Sequence, residues 1–360
     1  MHAEVFAVET TAVQVCWRGA PDGFIRCGDR RFALPSASGA MVLGELHPGT
    51  EHEIDVAGHR LRARTLTPPS GPVLSRVATF NDMHVGSRSF GTFRPIWEDD
   101  PADPHAARCF RAALTEAVAW GADAIVIKGD ATQNGAPNEW ETAASLVAAT
   151  ALPVLWIEGN HETKSLAVAG DPILARHGLH LTAGRPDHLD LEGVRLIATP
   201  TARWRHGNGV IEAPLREATT ALCATAPHAA IVALHHYPQR FRYPTLYPSG
   251  IPAPSAIPML DGIARANPST LVLAGHSHRH RYHQHGPIVV AETGSTKDFP
   301  GTWSGYTVHE GGVVQSTRRV MDPAAFAWTE RGRKVIGGVW GVWAPGIRSH
   351  RCFSHEWPRS

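Results

Sequence analysis

Residues 271–286 read LVLAGHSHRHRYHQHG. An apolar run ends in Gly275, and His276 and His278 follow one residue apart. A short continuous apolar run reads as a buried strand, so both histidines stand where a strand leaves the core. A solvated turn in a histidine-rich chain gives the same letters. So does a metal site, and the rest of the sequence decides between them.

Other apolar runs end the same way. "RVATF" is followed by Asp82 and His84, and "AIVIK" by Gly129 and Asp130. "VLWIE" is followed by Gly159, Asn160 and His161, and "IVAL" by His235 and His236. Helical patterns lie between them. Ala107, Phe110, Leu114 and Val118 fall at helical spacing with Gly121 as a stop, and Pro137 suits the first turn of "PNEWETAASLVAAT". Strand and helix in alternation predict an α/β layered core. In an open α/β sheet the strand carboxyl ends share one edge, where ligands bind.

Each strand end alone has a plain reading: a turn at Asp82 and His84, a helix cap at Asp130, a surface pair at His276 and His278. Together they point to a metal centre. Asp, Asn and His are ligands suited to Mn, Fe, Co, Ni or Zn. The D-x-H and H-x-H spacing is expected to put both side chains on one side of an extended segment. The number of ligands fits two ions with Asp130 as the bridge. Such a pair clamps an in-line displacement at phosphorus, with a bridging hydroxide as nucleophile.

The ordered set Asp82-x-His84, Gly129-Asp130, Gly159-Asn160-His161-Glu162, His235 and Gly275-His276-x-His278 resembles the calcineurin-like metallophosphoesterases. The resemblance implies a four-layer sandwich, two mixed sheets flanked by helices. It implies one metal on Asp82, His84, Asp130 and His278, and a second on Asp130, Asn160, His235 and His276. It makes His161 a catalytic group beside the phosphate and puts Glu162 behind the ligands. Two divalent or mixed-valence ions of the Mn, Fe or Zn type are expected, with no organic cofactor.

The chain departs from two branches of that family. Gln133 stands where purple acid phosphatases have a ligating tyrosine, and "GDATQNG" lacks the second aspartate of the phosphoprotein phosphatases. Asn134-Gly135 is more similar to bacterial phosphodiesterases of the cyclic-nucleotide type, which places Asn134 in reach of the phosphate. The expected activity is phosphodiester hydrolysis. Phosphomonoester or nucleotide pyrophosphate hydrolysis is the alternative on the same site.

The first 70 residues carry a different pattern. "AVQVCW" and "EHEIDV" alternate as half-buried strands, and "TLTPPSGP" ends the pattern as a linker. Val13, Val15, Trp17 and the turn from Leu46 to Thr50 are similar to a fibronectin type III domain. His52 stands where that family carries its corner tyrosine. The expected division is a small all-β sandwich over 1–70, a catalytic domain over 74–321 and a C-terminal extension over 322–360 that packs on it. A scaffold working through the sandwich is the non-enzymatic alternative.

The chain has 360 residues, 43% of them hydrophobic, and a net charge of +1. That is enough for a sizeable core and offers no evident patch for nucleic acid. Five scattered cysteines show no C-x-x-C spacing, so buried thiols in a reducing compartment are expected. With neither a signal-peptide pattern nor a membrane-spanning run, the expected location is cytoplasmic and the partner a small phosphorylated substrate.

The remaining candidates are weaker. His236 adjoins His235, and Arg203 leads the loop "RWRHGNG". Either is a candidate substrate or supporting contact, and a solvated loop serves Arg203 as well. His280, His283 and His285 read as a polar hairpin surface. Thr293 to Ser295 read as structural, and Trp328, Trp340 and Trp343 as packing.

Overall fold

The computed structural model describes residues 1–92, 95–164, 166–243 and 247–358. Two six-stranded sheets lie face to face. The first runs Val154–Ile157, Ala124–Lys128, Val73–Phe80, Thr302–His309, Gly312–Arg319 and Cys352–Glu356, its first three strands parallel and the rest antiparallel. The second runs Asp187–Leu191, Val194–Ala198, Ala229–Ala233, Thr270–Ala274, Ile288–Glu292 and Arg281–His285. Its inner four strands are parallel and its two edges antiparallel. The strands AIVIK, AAIVA, TLVLA and IVVAE are buried along their whole length, as strands covered on both faces must be.

Val77, Val126 and Leu155 meet Leu196, Ile231, Leu271 and Val289 between the sheets. Helices His105–Trp120 and Pro137–Ala148 cover the outer face of the first sheet through Phe110, Leu114 and Trp140. Helices Ala213–Ala224 and Ala253–Ala266 cover the second through Cys223, Met259 and Ile263. The layers are therefore helix, sheet, sheet, helix, as the sequence predicts.

The helix His105–Trp120 ends at Gly121, whose φ of 86° is the left-handed conformation that glycine adopts without a Cβ penalty. Ala107, Phe110 and Leu114 are buried as expected, but Val118 is 43% exposed and Ala117 takes the buried place in that turn. The last turn still packs on the sheet through Trp120, whose ring lies 5.7 Å from that of Trp303.

The first 65 residues hold seven strands in sheets of three and four around Trp17, Ile25 and Ile54. This unit is tied to the first large sheet. Gln14 Nε2 donates to Arg319 O at 2.8 Å, and Gln14 Oε1 accepts from Arg319 N at 2.9 Å. Phe326 and Cys352 complete its core. The C-terminal residues do more than pack: Asp322 caps the helix Pro323–Gly332 by accepting from the Ala324 and Ala325 N–H groups, and Cys352–Glu356 becomes an edge strand of the first sheet. Among the described residues, no helix is long and apolar enough to cross a membrane.

Candidate metal centre

Five parallel strands end at one edge of the two sheets: at Phe80, Lys128, Ile157, Ala233 and Ala274. The candidate residues follow directly. The backbone after those strands is not extended, however. Asp82, His84, Asp130, His276 and His278 all have φ between 48° and 70°. The one-residue spacing therefore works through tight left-handed turns, which correct the expected extended geometry. Non-glycine residues resist this conformation, and such strain gathers where surrounding structure enforces it for function.

The side chains form two adjoining groups. In one, His84 Nε2 lies 3.1 Å from His278 Nε2 and 3.8 Å from Asp130 Oδ2, and His278 Nε2 lies 3.5 Å from Asp82 Oδ1. In the other, His235 Nε2 lies 3.4 Å from Asp130 Oδ1, 3.3 Å from Asn160 Oδ1 and 3.2 Å from His276 Nδ1. Asp130 faces both groups. Ligands about 2.1 Å from one ion stand roughly 3.0–3.4 Å apart at tetrahedral or octahedral angles, so these spacings suit one ion per group.

Two further observations fit cations there. Asp82 Oδ1 is buried and no hydrogen bond reaches it. A buried anionic oxygen without a donor is costly unless a cation pairs with it. The second observation is how the rings are held from behind. His235 Nδ1 lies 2.8 Å from Lys128 O, His276 Nε2 lies 3.2 Å from Ser249 O, and His278 Nδ1 lies 2.5 Å from Asp298 Oδ2. A nitrogen that donates to such an acceptor leaves the other nitrogen of its ring unprotonated and free to ligate.

Glu162 ties the first-sheet loops together. Its carboxylate accepts from the N–H groups of Asp130, Gly159 and Thr132 and from Thr132 Oγ1, at 2.7–2.9 Å. Burial and the Asp130 charge push its carboxyl up to about 7, while these donors pull the other way. Burial also opposes the charge on Asp130, yet His235, His161 and His84 hold that carboxyl well below the usual range. Gly159 lets Asp130 sit close, since a Cβ there would lie 2.1 Å from Asp130 Oδ1.

His161 N donates to Asp130 Oδ1 at 2.9 Å. Its Nδ1 lies 2.8 Å from Gln133 O and 2.8 Å from Lys164 Nζ, and its Nε2 lies 4.0 Å from Asp130 Oδ2. Gln133 O accepts and the Lys164 ammonium donates, so Nδ1 has a partner for either tautomer of the ring.

The other candidates separate. His236 is fully buried within the cluster, with a ring nitrogen within 4.8 Å of those of His235 and His276 and Nδ1 3.0 Å from Thr201 Oγ1. Asn134 is exposed and turned to Glu139 and Lys164. Arg203 is exposed on its loop. His280 is fully buried, not on a hairpin surface, with Nδ1 accepting from Gly294 N and Nε2 3.2 Å from Thr302 Oγ1. The strand Arg281–His285 begins only after it. Thr293 is indeed supporting: it accepts from Lys128 Nζ at 2.6 Å and donates to Asn81 Oδ1 at 2.7 Å, and Asn81 Nδ2 donates to Asp82 Oδ2 at 2.5 Å.

Four partners escaped the sequence reading, Lys164 beside His161 among them. Asn81 and Lys128 adjoin motif residues and could have been suspected from that alone. Asp298 carries no local signal. Burial opposes its charge, but Lys297 and His278 hold its carboxyl down to about 2.

The cluster forms the floor of a pocket of about 750 Å³. Asp130, Asn160, His161, His276 and His278 reach it, and Phe90, Val335, Ile336 and Trp340 stand on its rim.

Residues 75–280 match the family model for calcineurin-like phosphoesterases. No curated protein sequence matches the chain. Among solved structures, a dimetal phosphatase from Danio rerio is similar at 12% identity and a TM-score of 0.53, over 69% of this chain and 98% of that one. A purple acid phosphatase from yellow lupin is similar at 13% identity and a TM-score of 0.45, over 88% of this chain and 72% of that one.

Proposed function

The chain belongs to the calcineurin-like phosphoesterase family and is a metal-dependent phosphoester hydrolase; from that premise we propose that its substrates are phosphodiesters. One observation carries the choice of diester. Among the described residues, the pocket that holds the histidine cluster is lined by no lysine and no arginine. A monoester dianion brings twice the charge of a diester and usually meets guanidinium or ammonium groups as well as metal. A 3′,5′-cyclic nucleotide is one diester of suitable size.

Asp82, His84, Asp130 and His278 would hold one ion, and Asp130, Asn160, His235 and His276 the other. Two divalent ions of the Mn, Fe or Zn type would supply Lewis acidity and an activated water. His161 stands beside this pair, held by Gln133 and Lys164. Its role is to steady the charge that develops on the leaving oxygen or to protonate that oxygen. Asp298 and Glu162 keep His278 and Asp130 in place.

The N-terminal unit is read as a fibronectin type III-like sandwich in a scaffolding role. His52 Nε2 lies 3.2 Å from His47 O, the kind of bond back to upstream backbone that a corner tyrosine makes. All five cysteines are buried and unpaired, which supports a reducing, cytoplasmic setting.

The test is hydrolysis of bis(4-nitrophenyl) phosphate against 4-nitrophenyl phosphate by metal-free protein reloaded with manganese. Diester turnover well above monoester turnover is expected. The reverse order moves the assignment to a phosphomonoesterase.

A further inference from the structure

The metal cluster has an apolar neighbour supplied from outside the family-matched span. Val335, Ile336 and Trp340 follow residue 280, and together with Phe90 they form one rim of the pocket. Trp340 is held in place: its Nε1 donates to Phe299 O at 3.0 Å, and Phe90 meets it edge-on at 5.2 Å. Its ring centroid is 6.3 Å from that of His278. That separation is about the reach of one substituent on a phosphoryl group bound at the cluster.

Ile336 gives a second, independent observation. Its φ is 53°, and Gly337 and Gly338 follow at 61° and 89°. Two glycines suit this left-handed run, whereas a β-branched residue is an outlier there. The isoleucine is also 43% exposed, so the strain is not offset by burial in the core. Strained positions of this kind gather at ligand-contacting sites.

We infer that Phe90, Ile336 and Trp340 form a subsite for an aromatic ring joined to the phosphoryl group through one ester oxygen, so that the substrate is an aryl phosphoester. The inference rests on the phosphoesterase reading and adds the nature of the organic group. The ring lies against the indole face and the isoleucine while the phosphoryl oxygens stay at the cluster. Aromatic contact of this kind adds to plain apolar burial.

Phenylphosphonate and methylphosphonate test it, because neither has a leaving group and they differ only in carrying phenyl or methyl on phosphorus. Calorimetric titration of the metal-loaded protein is expected to show phenylphosphonate binding about 10–30 times more tightly. Trp340→Ala is expected to bring that ratio below about 3 and leave methylphosphonate affinity unchanged. Ile336→Gly relaxes the backbone, so its Tm is expected to equal or exceed that of the native protein while phenylphosphonate binds about 3–5 times more weakly. A merely structural isoleucine would not separate these two readouts. Equal affinity for the two phosphonates, or a ratio that survives both substitutions, overturns the inference and leaves the phosphoesterase reading standing. Failure of both phosphonates to bind, with no metal bound, overturns both.

Discussion

Gly159→Ala tests how tightly Asp130 is placed. Gly159 does not sit in the left-handed region, so alanine meets no backbone objection, and the effect is steric. The added Cβ would lie 2.1 Å from Asp130 Oδ1, 2.5 Å from Asp130 N and 2.8 Å from Asp130 Cγ. A carbon–oxygen contact needs about 3.3 Å, so Asp130 must move by roughly 1.2 Å. It cannot move alone, because its N–H is bound to Glu162 and its Oδ1 accepts from His161 N. A misplacement of about 1 Å at a reacting centre costs on the order of 100-fold in rate. Overpacking a closed core costs about 1–3 kcal/mol, or roughly 2–12 °C in Tm. The assays are metal content by elemental analysis, kcat on bis(4-nitrophenyl) phosphate, and thermal unfolding. The expected result is fewer ions per chain, kcat down by about two orders of magnitude and a modest fall in Tm. Gly44→Ala, where a Cβ meets nothing within 4 Å and φ is also unstrained, is the control and should be neutral. Native metal content and native turnover in Gly159→Ala would refute the placement of Asp130 as the shared ligand.

Three other outcomes are expected. His161→Ala should keep its metal and lose about 10²–10⁴-fold in kcat, whereas Asp130→Ala should lose both; elemental analysis beside turnover separates the two roles. Asp298→Asn removes the carboxylate behind His278 and should weaken metal binding by about 10–100-fold, read by competition with a chelator; an unchanged affinity would leave Asp298 with no part in the centre. His105, buried against Trp328 at 3.7 Å, gives a stability signature. Burial pushes its pKa down to about 4, with Lys297 adding and Glu98 opposing. The folded protein keeps it neutral while the unfolded chain takes up a proton near pH 6.5, so its contribution is present above that pH and fades as pH falls toward 4. The stability gap between native protein and His105→Gln should therefore narrow between pH 7 and pH 4, by up to about 3 kcal/mol. A constant gap across that range would contradict the burial argument.

The Asp, Asn and His residues of the cluster, their order and their place after apolar runs were all legible in the chain. The reason is physical: buried parallel strands must be continuously apolar, so the first polar residues after them mark the sheet edge where ligands gather. The same logic made the layered core readable from alternating strand and helix patterns. Spacing alone misjudged the local backbone. D-x-H and H-x-H pairs look extended in the sequence, yet Asp82, His84, His276 and His278 are held in left-handed turns. Only packing against neighbouring strands enforces a conformation that the residues themselves resist. His280 was misread for a related reason, since a histidine among polar neighbours gives no sign that Gly294 and Thr302 will enclose it.

The tertiary structure alone decided who stands behind the ligands and what faces the substrate. Asp298 reaches His278, Lys164 reaches His161 and Glu162 gathers four donors because loops from different strand ends converge there. The C-terminal residues, aperiodic in sequence, supply an edge strand to the first sheet and one wall of the pocket. Periodicity reports which face of an element is buried, and it carries no record of which distant segment does the burying. The sequence by itself thus determined which polar residues gather at the sheet edge. The electrostatic support of the centre and the shape of its pocket came from contacts between residues far apart in the chain.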